Sequence, residues 1–135
     1  MPVDLEIVSP EKLLLAEPVE MVTLPAAEGE LGVLPGHAPM IVLLRGGTVR
    51  TWAGGKVVQS LYVSGGFAEI TGAKVTVLAN AATPVAELSR AGAEKKLAEA
   101  EGAYAAIDKS DMAATLAAID AIQAARAMVE AATAA

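Results

Sequence analysis

The stretch Val75 to Leu97, VTVLANAATPVAELSRAGAEKKL, changes character part-way through. Up to Leu78, apolar and polar residues alternate with the period of two expected of a half-buried strand. Beyond Thr83-Pro84 the alternation stops and alanine takes over. All seven prolines lie at or before Pro84, ten of the twelve glycines precede it, and 20 of the 51 residues from Val85 onward are alanine. Proline and glycine punctuate sheets, whereas alanine is the strongest helix former. The chain therefore divides into residues 1–84, written as strands, and residues 85–135, written as helices.

Working back from the break, the alternation recurs. Val3, Leu5 and Ile7 share one face while Asp4 and Glu6 share the other, and Val49 to Trp52, Val57 to Val63 and Lys74 to Leu78 repeat the pattern. Breaks at Ser9-Pro10, Gly46-Gly47, Gly54-Gly55, Gly65-Gly66 and Gly72 suit short strands joined by tight turns. Eight to ten antiparallel strands of this kind predict a β-sandwich or flattened barrel.

Working forward, Thr83 reads as an N-cap, with Pro84 at the first helical position and Glu87 in the first turn. The first helix is expected to run to about Ile107, with Leu88, Leu97 and Tyr104 as a thin apolar stripe. Asp108-Lys109-Ser110 breaks it, and Ser110 is expected to cap a second helix from Asp111. There Met112, Leu116, Ile119, Ile122 and Val129 keep helical spacing and form one stripe. Two helices and a short loop predict a C-terminal α-helical hairpin. Each large side chain buried contributes roughly 1.5–3 kcal/mol, against an ordering cost of about 1.5 kcal/mol per residue. With so few large residues, the hairpin is expected to be helical but loosely docked.

Composition narrows the function. A net charge of −6 matches the phosphate backbone poorly, and aromatics at 3% leave no platform for stacking bases. No nucleic-acid partner is expected. The chain has no cysteine and one histidine, His37, so disulfides, cysteine zinc sites and a histidine-rich metal centre are not expected. The opening Met-Pro-Val-Asp-Leu-Glu has no basic region followed by an apolar one, so no secretory signal is read there. The longest strongly apolar run, Ala38 to Leu44, is far short of the roughly 20 residues of a membrane span.

The most specific stretch is EGELGVLPGHAP, Glu28 to Pro39. It is preceded by VSPEKLL (Val8 to Leu14) and followed by Gly47-Thr48-Val49-Arg50, YVSGGFAEI (Tyr62 to Ile70) and VTVLA (Val75 to Ala79). In this order the chain resembles the ε-subunit family of F-type ATP synthases, whose mitochondrial counterpart is called δ. The resemblance covers about the first 80 residues; the tail matches in composition and in its expected hairpin. It implies a rotor subunit on the cytoplasmic face of a bacterial inner membrane, or on the matrix or stromal face in an organelle. The sandwich would bind the γ subunit and rest on the c-subunit ring, coupling proton flow to ATP synthesis, and the tail could reach the α and β subunits and restrain hydrolysis. Carried over by position, Glu30 matches the residue that contacts the polar loops of c. Gly29, Leu31 and Gly32 shape that edge, and His37 lies in a turn near the same contacts.

Plainer readings accompany these. Glu28 and Glu30 share a face but read as a solvated acidic rim rather than an acid–base pair. Trp52 and Phe67 read as packing or interface residues, and Ser64 to Phe67 as a hairpin turn. No catalytic residue, metal or cofactor is expected on this chain. The family's ATP-binding tail motif has its nearest match at Ala86 to Ala91. Arg90 and Ala91 fit it, but Ala86 replaces a branched aliphatic residue and Glu87 replaces an aspartate, so ATP binding through Glu87, Arg90 and Ala91 is not the expectation. Two other classes compete with the rotor reading: a free adaptor module, and a small enzyme that would need one pocket joining His37 to Glu30.

Overall fold

The computed structural model describes residues 2–134. Ten strands come first: β1 (Val3–Val8), β2 (Leu13–Val19), β3 (Met21–Ala26), β4 (Gly29–Val33), β5 (Met40–Leu44), β6 (Gly47–Ala53), β7 (Lys56–Val63), β8 (Gly66–Ile70), β9 (Lys74–Ala79) and β10 (Ala82–Pro84). A 3-10 turn at Val85–Glu87 leads to α1 (Arg90–Ala106) and α2 (Met112–Ala134).

The hydrogen-bonded order is β10-β7-β6-β3-β5-β8-β9-β1-β2, with β4 attached to β3. β2 also meets β6, so the path bends back and encloses one core, giving a near-barrel sandwich. Pairing is antiparallel except between β1 and β9, which run parallel. Parallel neighbours need a long crossover, and almost the whole sandwich lies between these two. The expected alternation is realised: Val3, Leu5 and Ile7 are buried with Val22, Leu24, Val49, Val75 and Val77, while Asp4 faces out. Gly66 is required where β8 starts. Its φ is +130°, and a Cβ there would lie 2.1 Å from the Leu78 carbonyl oxygen.

The start of the helical segment differs from the sequence reading. Thr83 and Pro84 do not begin a helix; they pair with Tyr62 and Leu61 as β10. The free edge of β7 offers backbone partners, and proline is tolerated at a sheet margin because no ladder bond is asked of its nitrogen. The N-cap of α1 is Ser89, whose hydroxyl accepts from the Gly92 N–H at 3.1 Å. Nor does Ser110 cap α2. Asp111 does, its carboxylate accepting from the Ala114 N–H at 3.1 Å. Ser110 instead donates its backbone N–H and its hydroxyl to Asp108, which holds that carboxyl below its ordinary range.

The packing face of α2 also departs from expectation. Met112, Leu116 and Ile119 are 66%, 53% and 46% exposed, while the buried positions are Ala118, Ala125 and Ala131. Alanines let a helix approach its neighbour closely, so they take the fully buried positions, while of the bulky stripe only Ile122 and Val129 are half-buried. By length and composition Met112–Thr133 could cross a bilayer, with a mean hydropathy of 1.3. Much of that hydropathy is alanine, and Asp120 and Arg126 interrupt the segment, each costing about 2.5–3.5 kcal/mol at a bilayer centre.

Candidate docking surfaces

The edge bearing Glu30 is built by the hairpin of β3 and β4, whose turn closes with Ala26 opposite Gly29. Among the described residues β4 pairs with β3 alone, which leaves its other side open. Glu30 projects from this edge strand and accepts from the Arg50 guanidinium at 3.0 Å. Both side chains are solvated, Glu30 at 58% and Arg50 at 37%. Leu31 leans on the core, Gly32 lies open beside Met21, and Gly29 takes φ +141° at the turn.

His37 lies in the loop beyond the other end of β4. Its N–H donates to the Leu34 carbonyl, its Nδ1 lies 2.8 Å from the Ala38 carbonyl, and Gly36 beside it is tied to Gly72. The four steps from Glu30 to Leu34 already span about 13 Å at strand rise. A cleft of about 490 Å³ is lined by Glu28 to Leu31 and by Met40 to Leu43, without His37. The structure therefore brings Gly29, Glu30, Leu31 and Gly32 together and leaves His37 apart, which argues against the small-enzyme reading. Among the described residues no group of three His, Asp or Glu side chains is placed to hold a metal.

The tail residues Glu87, Arg90 and Ala91 lie at the junction of the 3-10 turn and α1. Glu87 ends the 3-10 turn, and Arg90 donates to Glu94 at 3.1 Å along α1.

A further surface feature is apolar. Leu43 pairs with Phe67, Phe67 with Leu78, Leu78 with Val8, and Val8 with Leu13. These five residues form one row across β5, β8, β9, β1 and β2. The residues flanking them in each strand point into the core, so the row faces out. Leu43 is 68% exposed, Phe67 44%, Leu78 36% and Leu13 56%, with Ile41 beside them at 73%. Phe67 is thus a surface residue, whereas Trp52 is half-buried and donates to the Thr23 hydroxyl at 3.3 Å. A continuous apolar band of this extent marks a contact surface, unlike scattered apolar side chains. The one hint in the sequence is that Met40 to Leu44 is apolar without alternation, the mark of a strand covered on both faces.

Residues 2–85, the whole sandwich, match the family described as ATP synthase, Delta/Epsilon chain, beta-sandwich domain. The chain belongs to the ATP synthase delta/epsilon family. A member from Granulibacter bethesdensis, the ATP synthase epsilon chain, is 67% identical over 128 residues, covering 95% of both chains. The ATP synthase epsilon chain of Rhodospirillum rubrum is 41% identical over 127 residues, covering 91% of this chain and 95% of that one. Among solved structures, a chain of the Euglena gracilis mitochondrial ATP synthase is similar with a TM-score of 0.78 at 27% identity, over 96% of this chain and 81% of that one. The delta/epsilon likeness thus extends through the tail as well as the sandwich.

Proposed function

We propose that this chain is a central-stalk subunit of a proton-translocating F-type ATP synthase, joining the γ subunit to the c-subunit ring and coupling proton flow to ATP synthesis. It supplies contacts and carries no catalytic site. The observation that carries this reading is the outward row Leu13, Val8, Leu78, Phe67 and Leu43 in a chain so close to epsilon chains. A row of this kind needs a broad apolar partner, and γ is that partner. The edge holding Glu30, with Gly29, Leu31 and Gly32, is polar and free, which suits the polar loops of c. His37 is a turn residue that shapes the neighbouring surface.

The tail is a separate helical unit that regulates hydrolysis by reaching α and β, and ATP is not its ligand. The complex lies at the cytoplasmic face of a bacterial inner membrane. Purification of the tagged chain from detergent-solubilised membranes tests the reading. Recovery of γ and c in stoichiometric amounts is expected; a chain recovered free of both would overturn it in favour of an independent adaptor.

A further inference from the structure

The contact between the hairpin and the sandwich is built unlike the rest of the molecule. Elsewhere large aliphatic side chains interlock, whereas α2 approaches the sandwich mainly through Ala124, Ala127 and Ala131; of its bulky residues Met112, Leu116 and Ile119 are exposed and Ile122, Met128 and Val129 only half-buried. An alanine buries a single methyl, so this interface has little apolar stabilisation to draw on. Two polar couplings stand in its place. The side-chain amide of Gln123 pairs reciprocally with the backbone of Gly46. The Gly46 N–H donates to Gln123 Oε1 at 2.9 Å, and Gln123 Nε2 donates to the Gly46 carbonyl at 2.7 Å. One residue on, the Tyr62 hydroxyl donates to the Ala124 carbonyl at 2.5 Å. All these partners are at least partly buried, so none of the bonds can be given up without exposing its groups to water or leaving them unpaired.

The fit at Gly46 explains why these groups meet. A Cβ on Gly46 would lie 2.5 Å from Ala124 Cα, 2.9 Å from Ala124 Cβ and 3.1 Å from Gln123 Oε1. Each of these atoms belongs to α2 and none to the sandwich. Glycine is therefore required at residue 46 by the helix alone. Gly46 ends the loop before β6 and Tyr62 lies on β7, so the two couplings grip α2 from adjacent strands at the same helical turn.

We propose that the docked position of the hairpin is set by this one polar latch, Gly46 with Gln123 and Tyr62 with Ala124, and not by apolar packing. The latch decides whether α2 stays on β6 and β7. Its release would uncover the buried Tyr62 and Gly46 together while leaving the sandwich core closed. This inference concerns what holds the tail and stands whether or not the tail acts on other subunits.

Deuterium exchange on the full-length chain tests it with Gln123→Ala, Gly46→Ala and, for comparison, Leu116→Ala. The fluorescence of the single tryptophan, Trp52, reports on the sandwich. Gln123→Ala and Gly46→Ala are expected to raise exchange along α2 by about tenfold or more, the scale of losing part-buried hydrogen bonds. Exchange in β1, β3 and β9 and the Trp52 signal should not change, and Leu116→Ala should have little effect on docking. If Gly46→Ala instead unfolds the sandwich, Gln123→Ala alone decides. Wild-type protection of α2 in Gln123→Ala, or loosening by Leu116→Ala equal to that of the latch variants, would overturn the proposal.

Discussion

Arg50 on β6 reaches across β3 to hold the carboxylate of Glu30 on β4, with Nη1 and Oε1 3.0 Å apart. Glu30 is therefore positioned, not free, before any partner arrives. An exposed pair of this kind contributes about 0–1 kcal/mol to stability, so its value lies in orientation. Glu30→Lys is expected to leave the melting temperature of the isolated chain nearly unchanged, because neither residue belongs to the core. It should weaken proton-driven ATP synthesis in membrane vesicles, since the edge would then carry two neighbouring cations. Arg50→Ala should give a smaller loss in the same assay. Normal synthesis in a fully assembled Glu30→Lys complex would remove this edge from the contact surface.

His37 is held by its own loop and lies away from Glu30. His37→Ala is expected to abolish no chemical step and to cost about 1 kcal/mol or less in unfolding, as for a half-buried loop residue outside the core. Titration calorimetry with zinc should show no stoichiometric site. Zinc bound one to one and lost in His37→Ala would contradict this account.

The sandwich completes its sheet at Pro84, before either helix begins. A chain ending after Glu87 is expected to stay folded and to keep binding γ and c, with a small loss of stability from uncovering Tyr62 and Gly46. Thermal unfolding of the full chain should not shift with ATP. Ligand at 100 times its dissociation constant would add about 2.7 kcal/mol, so an ATP shift abolished by Arg90→Ala would show nucleotide binding at the tail.

Burial beneath α2 pushes the Tyr62 hydroxyl up to about 12 from its usual 10.0. A phenol whose pKa is raised on docking favours the docked state below its ordinary pKa. That advantage is lost as pH rises from about 10 towards 12, because only the undocked phenol ionises in that range. Lys96 and Glu99 of α1 border the same pocket. The tail is thus expected to detach in this window, with phenolate absorbance rising as exchange in α2 rises. Tyr62→Phe should remove the part of the transition due to the phenol.

The sandwich was legible because its signals are local: period-two alternation and glycine turns are each written within a few residues. The entrance to α1 was misread because Thr83-Pro84 carries a good local helix-start signal, yet β7 had a free edge to pair with it. Tertiary pairing overrode local preference. The stripe on α2 does not by itself mark the packing face, because close contact falls on alanines and leaves Met112, Leu116 and Ile119 exposed with Ile122 and Val129 half-buried. Gly29, Glu30, Leu31 and Gly32 share one edge because they are consecutive in β4, and their role there is carried over from the resemblance. The apolar row was not legible, because Val8, Leu13, Leu43, Phe67 and Leu78 become neighbours only through strand register. Gly46 and Gln123 lie 77 residues apart and met the same obstacle.

Binding of purified γ to the isolated chain shows whether the outward row across β5, β8, β9, β1 and β2 seats γ. Leu43→Glu combined with Phe67→Glu should weaken binding by about a hundredfold or more, the scale of two anchors lost from an interface centre. Val58→Glu, on β7 outside the row and 64% exposed, should bind as the wild type does. Wild-type affinity in the Leu43 and Phe67 double variant, with affinity lost in Val58→Glu, would place the γ contact elsewhere and contradict the account.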